Sequence, residues 1–493
     1  MAAVDGPPRT ALELAIAERN AVALGVTVQQ LMENAGRVVA EEAIAHVPDP
    51  NGRIVVLAGA GNNGGDGTSA VHFLRAEGRH PELWMVAGTG GIRSIAARRA
   101  YERIAGGSEV HEGVPSPGAL AASALIVDAM LGTGHSGGLR EPYRSAVASV
   151  RDARVPVLSV DLPTGSGGPD GLRADWTITL SAPKVGLPGA NGGGVTVRSI
   201  GIPDAAFDRT GPGEYLAYPK ATARGRRARI AVVGGGPFSG APALTALAAL
   251  RAGAERATVY APRPAADAIR ALSPDLVVVP CGEGRLRPGD IPVLLEAIRG
   301  TRVGAVAVGM GLGREPDTIE ATRTLLSELA GTVPLLVDAD ALDALPDTLP
   351  VRPDAPIVAT PNAGEFARVF ARDSSGSGDG PPGVLSMIAR ARGLTLVRKG
   401  GDDTIAGPDR VVLAGPHSRS MNVGGSGDVL DGVIGRLLAE PLDGFGAARL
   451  GTHWLGDAGR LAAAELADGL LATDLIAALP IALREGLRQA PLG

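Results

Sequence analysis

The sequence predicts an α/β fold with two domains, each a three-layer α/β/α arrangement around a parallel sheet. Near-continuous runs of Val, Ile and Leu alternate with helical stretches along the chain, as in strands that are buried on both faces. A stretch rich in Gly, Pro and Arg, without apolar periodicity, interrupts this alternation at residues 208–228. We therefore expect one domain over residues 1–215 and a second over residues 224–493.

The predicted strands of the first half each lead into a polar, glycine-rich segment. These strands are RIVVLAG (53–59), ALIVDAM (124–130), VPVLSVDL (155–162) and TITLSAP (177–183). In doubly wound sheets the ligand lies beyond the carboxyl ends of the strands, so the polar segments should meet in one cleft. This order predicts a Rossmann-like first domain.

The second half repeats the alternation of apolar strands and helices. Its predicted strands are RIAVVGGG (229–236), ATVYAP (257–262), AVAVGMG (305–311), PLLVDAD (334–340), PIVATP (356–361) and LTLVRKG (394–400). Glycines or polar residues again follow the strand ends, so a second cleft is expected at the carboxyl edge of this sheet.

The composition argues against several classes of protein. A net charge of −5 and an aromatic content of 3% argue against a nucleic-acid partner. The single cysteine, Cys281, excludes a disulfide framework and a cysteine-based zinc site. The first residues lack the apolar segment of a signal peptide, and no apolar run is long enough to span a membrane. We expect a cytoplasmic homo-oligomer without a membrane partner.

The segment AGAGNNGGDG (58–67) follows the first strand and is typical of a ligand-binding turn. Glycines allow backbone N–H groups to face a ligand, and a following helix adds partial positive charge. Asn62, Asn63 and Asp66 are unusual in a loop that binds phosphate alone. The ligand should therefore have both polar and anionic parts.

Oxygen-bearing side chains follow two further strands, at Asp128 and at Asp161 with Thr164. Together with Asn63 they offer hard oxygen donors, which suit a weakly hydrated monovalent cation, Ca²⁺ or Mg²⁺. The alternative is that the two aspartates only cap helices. His135, in the loop after Asp128, is expected to face solvent or substrate.

Five motifs of the first half, in order, resemble the NAD(P)H-hydrate epimerase domain over roughly residues 10–205. They are LMENAG (31–36), GNNGGDG (61–67), VDAMLGTG (127–134), SVDLPTG (159–165) and APKVGL (182–187). The resemblance implies a potassium ion held by Asn63, Asp128 and Thr164, where the family usually has Ser at position 164. It implies that the hydrated dinucleotide contacts Asn62, Asn63, Gly64, Gly65, Asp66, Gly132, Thr133, Gly134, His135, Ser136, Gly137, Gly138 and Asp161. Asp161 is our candidate for the proton-transfer group.

The segment MNVGGSGDVLDG (421–432) carries the strongest chemical motif of the second half. Gly424, Gly425 and Gly427 can form an anion-binding nest at a helix start. Asp428 could then take a proton from an attacking hydroxyl while the nest holds phosphoryl charge. Lys399, one of only three lysines, follows a predicted strand. The alternative is a tight turn with Asp428 as an ordinary first-turn residue of the helix.

The motifs GGGPFSGAP, GMGLG, VDADAL, TPNAGE, RKGG and GGSGD, in this order, resemble the ribokinase-like NAD(P)H-hydrate dehydratase domain over roughly residues 228–485. The resemblance implies that Ala241, Gly313, Asn362 and Asp428 contact the hydrate. It implies that Lys399, Gly400, Gly401, Asp402, Asp403 and Gly427 contact the nucleotide. Two positions depart from the family pattern: Asn362 replaces the His common in prokaryotic members, and Asp431 replaces a small residue.

The two resemblances together imply repair of hydrated nicotinamide cofactors. The first domain would interconvert the S and R hydrates of NADH and NADPH, and the second would dehydrate the S form with ADP, giving AMP and phosphate. We expect Mg²⁺ to accompany the nucleotide; prokaryotic members use ADP and eukaryotic ones use ATP. Two alternatives remain: an ATP-dependent small-molecule kinase of the ribokinase class with an N-terminal regulatory domain, and a non-enzymatic scaffold.

Overall fold

The computed structural model describes residues 7–107, 109–134, 137–187, 193–218, 228–350, 352–370 and 382–490. They form two compact units, the first ending at Ala206 and the second beginning at Phe207. Each unit contains one sheet with helices packed on it, which confirms the predicted two-domain α/β class. Within these ranges no helix is both long and apolar enough to cross a membrane.

The first unit is built on a seven-stranded parallel sheet. Its strands are β1 (Ile54–Ala58), β2 (Glu82–Met85), β3 (Val110–Glu112), β4 (Leu125–Ala129), β5 (Val157–Val160), β6 (Trp176–Leu180) and β7 (Gly194–Arg198). Its helices are α1 (Ala11–Ala23), α2 (Val28–His46), α3 (Asn62–Ala76), α4 (Ile95–Ile104), α5 (Pro117–Leu120) and α6 (Tyr143–Ala153), and α7 (Asp204–Asp208) crosses the division. The strand order is β3-β2-β1-β4-β5-β6-β7, so the direction of winding reverses between β1 and β4. Ligand clefts of open α/β sheets form at such a reversal.

The second unit is built on a nine-stranded sheet. Its strands are β8 (Arg229–Val233), β9 (Arg256–Ala261), β10 (Val277–Pro280), β11 (Ala305–Val308), β12 (Leu335–Val337), β13 (Ile357–Ala359), β14 (Thr395–Arg398), β15 (Asp403–Ala406) and β16 (Val411–Ala414). Its helices are α8 (Gly240–Arg251), α9 (Arg263–Arg270), α10 (Ile291–Gly300), α11 (Pro316–Leu329), α12 (Ala363–Phe370), α13 (Pro382–Arg392), α14 (Ser426–Leu438), α15 (Gly444–Leu466) and α16 (Ala472–Gln489). The strand order is β10-β9-β8-β11-β12-β13-β14-β15-β16.

All ten strands predicted from apolar runs are present, because each predicted run overlaps one strand of a sheet. The prediction of parallel pairing is wrong at one edge, since β14–β15 and β15–β16 are antiparallel. The sequence pattern missed β2, β3, β7, β10, β15 and β16. Several of these lie at sheet edges, where one face or one side is open and the apolar run is short.

The division at Ala206 differs from the boundary predicted near residue 220. Residues 207–218 belong to the second unit, because Glu214 forms a 2.6 Å ion pair with Arg449 of α15. The two side chains are only 1% and 5% exposed. The Tyr215 hydroxyl also donates a 3.0 Å hydrogen bond to Asp457. A segment with a linker-like composition is therefore part of the second core.

Replacing Glu214 with Gln should destabilise the second unit by about 3 kcal/mol, because it leaves a buried guanidinium without its counter-charge. Denaturant unfolding of the full-length protein, followed by a probe in the second unit, measures the change. Glu328→Gln is the control, since its ion pair with Arg299 is more than half exposed and should contribute no more than about 1 kcal/mol. Equal losses in the two variants would contradict this role for Glu214.

Candidate active sites

The first unit contains a cavity of about 790 Å³ at the carboxyl ends of β1, β4 and β5. The cavity lies where the winding of the sheet reverses, which is the expected place for a ligand. Seven of the predicted substrate residues line it: Asn62, Asn63, Asp66, Gly132, Thr133, Gly134 and Asp161. Gly137 and Gly138 are not among its lining residues, and His135 and Ser136 lie outside the described residues.

The glycine-rich motif is the start of a helix rather than a separate turn. Helix α3 begins at Asn62, inside the segment that the sequence pattern indicated as a turn. Gly64 and Gly65 are buried, and a Cβ on Gly64 would lie 1.9 Å from the carbonyl oxygen of Gly59. These two glycines therefore allow close packing at the helix start, while the neighbouring polar side chains line the cavity.

A buried ion pair lies at the base of this cavity. Lys184, only 4% exposed, donates hydrogen bonds to Asp161 Oδ1, to Thr179 Oγ1 (3.0 Å) and to the Leu180 carbonyl oxygen (2.9 Å). Asp161 has a positive φ of 73°, a conformation that side-chain-bearing residues adopt rarely. The hydrogen bond from Lys184 and the backbone conformation at Asp161 hold the carboxylate in the lining of the cavity.

Two more carboxyl groups, Glu18 and Asp66, line the same cavity. Burial, followed by the nearby Asp161 charge, raises the pKa of Glu18 to about 7. Burial also raises the pKa of Asp66 well above its usual range, again with a contribution from Asp161. Glu18 lies in no motif, so nothing in the sequence pattern indicated it. Lys184 lies within APKVGL and is one of only three lysines, and both features could have pointed to it.

The three predicted cation ligands lie at one end of this sheet but differ in their bonding. Asp128 is fully buried and accepts hydrogen bonds from the Thr164 hydroxyl (2.7 Å), the Thr164 N–H (2.8 Å) and the Ser159 hydroxyl (3.0 Å). Asn63 packs against Gly132, and both polar atoms of its amide are buried without a partner among the described residues. A buried amide without partners is costly, so Asn63 is the clearest indication of a missing ligand.

The second unit contains a cavity of about 750 Å³ beside the ends of β13 and β14 and the start of α14. Six of the predicted residues line it: Asn362, Lys399, Gly400, Gly401, Asp403 and Gly427. The structure does not place Ala241, Gly313, Asp402 or Asp428 among the lining residues, although Asp428 directly follows Gly427.

The start of α14 has the geometry of an anion site. Gly425 caps the helix in the left-handed conformation, with φ of 91°. A Cβ on Gly427 would lie 3.1 Å from Lys399 Nζ, so a side chain there would push the ammonium slightly aside. Lys399 Nζ in turn donates a 2.8 Å hydrogen bond to Asp338 Oδ2. Helix N–H groups and an ammonium therefore converge on the same point, which favours a bound phosphate.

Asp428 lies in the first turn of α14, beside this anion site. Burial raises the pKa of Asp428 to about 7, and the Asp338 and Glu365 charges add to the shift while Lys399 opposes it. A carboxyl group with a pKa near the working pH is suited to general-base catalysis. Asp338 lies within the motif VDADAL, but the motif alone did not indicate a role for it.

Three predicted contact residues also form hydrogen bonds or ion pairs within the protein. The Asn362 side-chain oxygen accepts a 2.9 Å hydrogen bond from the N–H of Glu365, whose carboxylate accepts one from the N–H of Asn362. This reciprocal pair caps α12. Asp402 pairs with Arg209 at 2.8 Å, and Asp403 accepts a 2.8 Å hydrogen bond from the N–H of Gly400. These carboxylates shape the loop that carries Lys399.

His417 is a further cavity residue that sequence reasoning missed. Its Nε2 lies 3.2 Å from Asp403 Oδ2, and it lines the cavity together with Lys399. Burial lowers the pKa of His417, but the Asp403 carboxylate outweighs this effect and the net shift is upward. No motif surrounds this residue in the sequence, so only the folded chain reveals it.

Two α/β units, each with a polar cleft at the carboxyl edge of its sheet, place the protein in the class of α/β enzymes with two active sites. The family described as NAD(P)H-hydrate dehydratase matches residues 230–481, and the family described as the N-terminus of YjeF-related proteins matches residues 28–186. The bifunctional NAD(P)H-hydrate repair enzyme Nnr of Pyrobaculum aerophilum is 39% identical, over 96% of this chain and 98% of its own length. The enzyme of the same name from Hyperthermus butylicus is 35% identical, over 98% of this chain and 94% of its own.

The chain belongs to the family of bifunctional NAD(P)H-hydrate repair enzymes. Among solved structures, a ribokinase-like superfamily protein from Enterococcus faecalis V583 has a TM-score of 0.48 at 19% identity, over 58% of this chain and 97% of its own. An ADP/ATP-dependent NAD(P)H-hydrate dehydratase from Bacillus subtilis has a TM-score of 0.46 at 22% identity, over 56% of this chain and 96% of its own.

We expect Glu18 to titrate with a midpoint of about 7, and Asp161→Asn to lower that midpoint, because the Asp161 charge disfavours ionisation of Glu18. NMR of protein labelled at the glutamate side-chain carboxyls measures the midpoint. Glu109→Gln is the control, since Glu109 pairs with Arg75 and does not line the cavity. An unchanged midpoint in Asp161→Asn would contradict the coupling.

Proposed function

We propose that the first unit interconverts the S and R hydrates of NADH and NADPH. We propose that the second unit dehydrates the S form with ADP, releasing AMP and phosphate. The observation that carries the proposal is Asp428, a carboxyl group with a pKa of about 7 at a helix start beside Lys399. A base next to an anion site is the combination that phosphoryl transfer to a hydroxyl requires.

The second reaction solves the problem that hydroxide is a poor leaving group. Asp428 takes the proton of the ring hydroxyl while the hydroxyl oxygen attacks the terminal phosphoryl of ADP. AMP leaves, and the ring carries the phosphate. Lys399 and the N–H groups at the start of α14 hold the phosphoryl charge. The lone pair of the ring nitrogen then expels phosphate, and loss of a proton from the adjacent ring carbon restores the double bond.

In the first unit, Asp161 exchanges the proton with the hydrated ring. Lys184 fixes the Asp161 carboxylate, because three hydrogen bonds hold the Lys184 ammonium in a single position. Asp66 and Glu18, whose pKa values are both raised, can donate hydrogen bonds as neutral acids to hydroxyl or carbonyl oxygens of the ligand. A neutral Asp66 is therefore compatible with a loop that binds the phosphates of the dinucleotide.

We further propose potassium in the first unit and Mg²⁺ with the nucleotide in the second. The unpartnered Asn63 amide beside Gly132, with Asp128 and Thr164 at the same sheet edge, fits potassium, which would supply positive charge near the dinucleotide. Within the described ranges no group of three His, Cys, Asp or Glu side chains could hold a metal ion. Mg²⁺ would therefore be bound chiefly through the phosphates. Cytoplasmic location and homo-oligomerisation stay predictions.

The proposal is tested by incubating the purified protein with a mixture of NADH-hydrate epimers and either ADP or ATP. Return of the dihydronicotinamide absorbance reports dehydration, and chromatography of the two epimers without nucleotide reports epimerisation. Turnover of the S form with ADP, together with epimer exchange, is expected. A phosphorylated small molecule as the only product would favour the kinase alternative.

Turnover with ADP should rise with pH through about 7 and then level off, because the base must be ionised to accept a proton. Asp428→Asn should lower turnover by about 10²–10⁴-fold and abolish this pH dependence. ADP affinity, measured by calorimetry on the same variant, should change little, because Lys399 and the glycines remain. Turnover within threefold of the parent's, or a pH profile that persists, would reject Asp428 as the base.

Asn63→Leu should remove the effect of potassium on the first unit without breaking any hydrogen bond of the side chain, since the Asn63 amide has no partner among the described residues. In the parent, potassium should raise both the epimerisation rate and the melting temperature, because a ligand that binds the folded state stabilises it. Dehydration with ADP in the same variant is the internal control. Equal stabilisation of parent and variant by potassium would place the ion elsewhere.

A further inference from the structure

Asp431, which departs from the family pattern, lies one turn beyond Asp428 on α14 and is fully buried. One of its oxygens accepts a 2.8 Å hydrogen bond from the hydroxyl of Thr360, which follows β13. The other oxygen is buried, as is Asp338 Oδ1, and neither has a donor among the described residues. The two side chains are neighbours, because α14 packs beside β12, and both the charge of Asp338 and a hydrogen bond with it raise the pKa of Asp431.

Two carboxylate oxygens that face each other need a proton between them, because ionised carboxylates only accept hydrogen bonds. Asp338 is the partner that is bonded to an ammonium, since its second oxygen accepts the 2.8 Å hydrogen bond from Lys399. Burial and the Asp338 charge raise the pKa of Asp431 well above its usual range, and the nearby Lys399 charge does not reverse the shift. The proton therefore belongs to Asp431.

We infer that Asp431 is a positioning residue of the second cleft and acts as a neutral acid. It donates a hydrogen bond to Asp338 Oδ1, which directs Asp338 Oδ2 toward Lys399 and so fixes the ammonium beside Gly427. The inference rests on the proposed function in taking this cleft as the nucleotide site. It assigns a role to a residue that the sequence alone left without one.

The charge of the cluster shows why the acid must be neutral. The ionisable groups around Asp431 are Asp338 after β12, Lys399 after β14 and Asp428 on its own helix. Glu365 on α12 acts on Asp428. With Asp431 neutral, the charges of Asp338 and Lys399 cancel. An ionised Asp431 would add a negative charge next to the point where the phosphates of the nucleotide bind, and at short range this repulsion weakens binding.

Asp431→Ala, Asp431→Asn and the parent provide the test, with ADP affinity measured by calorimetry at neutral pH in the presence of Mg²⁺. Asp431→Ala leaves Asp338 Oδ1 without a donor and should weaken ADP binding roughly 5- to 100-fold. Asp431→Asn should recover most of this loss, because its amide nitrogen can donate to Asp338 and its oxygen can accept from Thr360. Val433→Ala, a buried truncation on the same helix, is the control for destabilisation and should change ADP affinity less than about twofold.

Infrared difference spectra provide a readout that needs neither nucleotide nor hydrate. Glu18, Asp66 and Asp428 also have raised pKa values and can contribute C=O bands, so the spectrum of each variant is subtracted from that of the parent. The C=O band of one protonated buried carboxyl should appear in the parent-minus-Asp431→Asn spectrum and not in the parent-minus-Val433→Ala spectrum. Absence of that band from the Asp431→Asn difference overturns the inference, as does Asp431→Asn binding ADP as weakly as Asp431→Ala, or Asp431→Ala binding it as tightly as the parent. If the parent binds no ADP, the proposed function fails while the infrared result still decides the state of Asp431. If Asp431→Ala does not fold, Asp431→Asn and the spectra decide the matter.

Discussion

The interaction on which each cleft depends is a lysine–aspartate ion pair at the carboxyl edge of a sheet. Lys184 pairs with Asp161 in the first unit, and Lys399 pairs with Asp338 in the second. Removing two charges from water is costly unless further hydrogen bonds satisfy them. Parallel strands meet this requirement because their carboxyl ends lie side by side: Asp161 follows β5 and Lys184 follows the adjacent β6.

Carboxyl groups with raised pKa values surround both ion pairs. Glu18 and Asp66 share the first cavity with Asp161, while Asp428 and Asp431 lie near Asp338. In each case burial is the largest cause and a neighbouring aspartate adds to it. A single ammonium cannot balance several carboxylates, so some of them hold protons near neutral pH. The clefts thereby combine bases, neutral acids and a fixed cation within a small volume, which suits proton transfer beside an anionic ligand.

Glycines determine how closely the helices approach these charges. Gly64 lets the start of α3 pack against Gly59, and Gly427 leaves room for the Lys399 ammonium. A side chain at either position would displace backbone or the lysine itself. Asp66, two residues after Gly64, and Asp428, directly after Gly427, are consequently held near the start of a helix. Partial positive charge and free N–H groups at a helix start favour an anion.

The α/β class, ten of the strands and the motifs that line the two clefts could be predicted from the amino-acid sequence. Those features are local, because an apolar run, a glycine pattern or a helix start depends on neighbouring residues. Which charges meet depends on the folded chain. Glu18 joins Asp161 from a distant helix, and Asp431 meets Asp338 because sheet order brings α14 to the end of β12. The same holds for Glu214, whose partner Arg449 lies more than two hundred residues along the chain. Burial and distance set the energy of such pairs, and neither can be read from the amino-acid sequence.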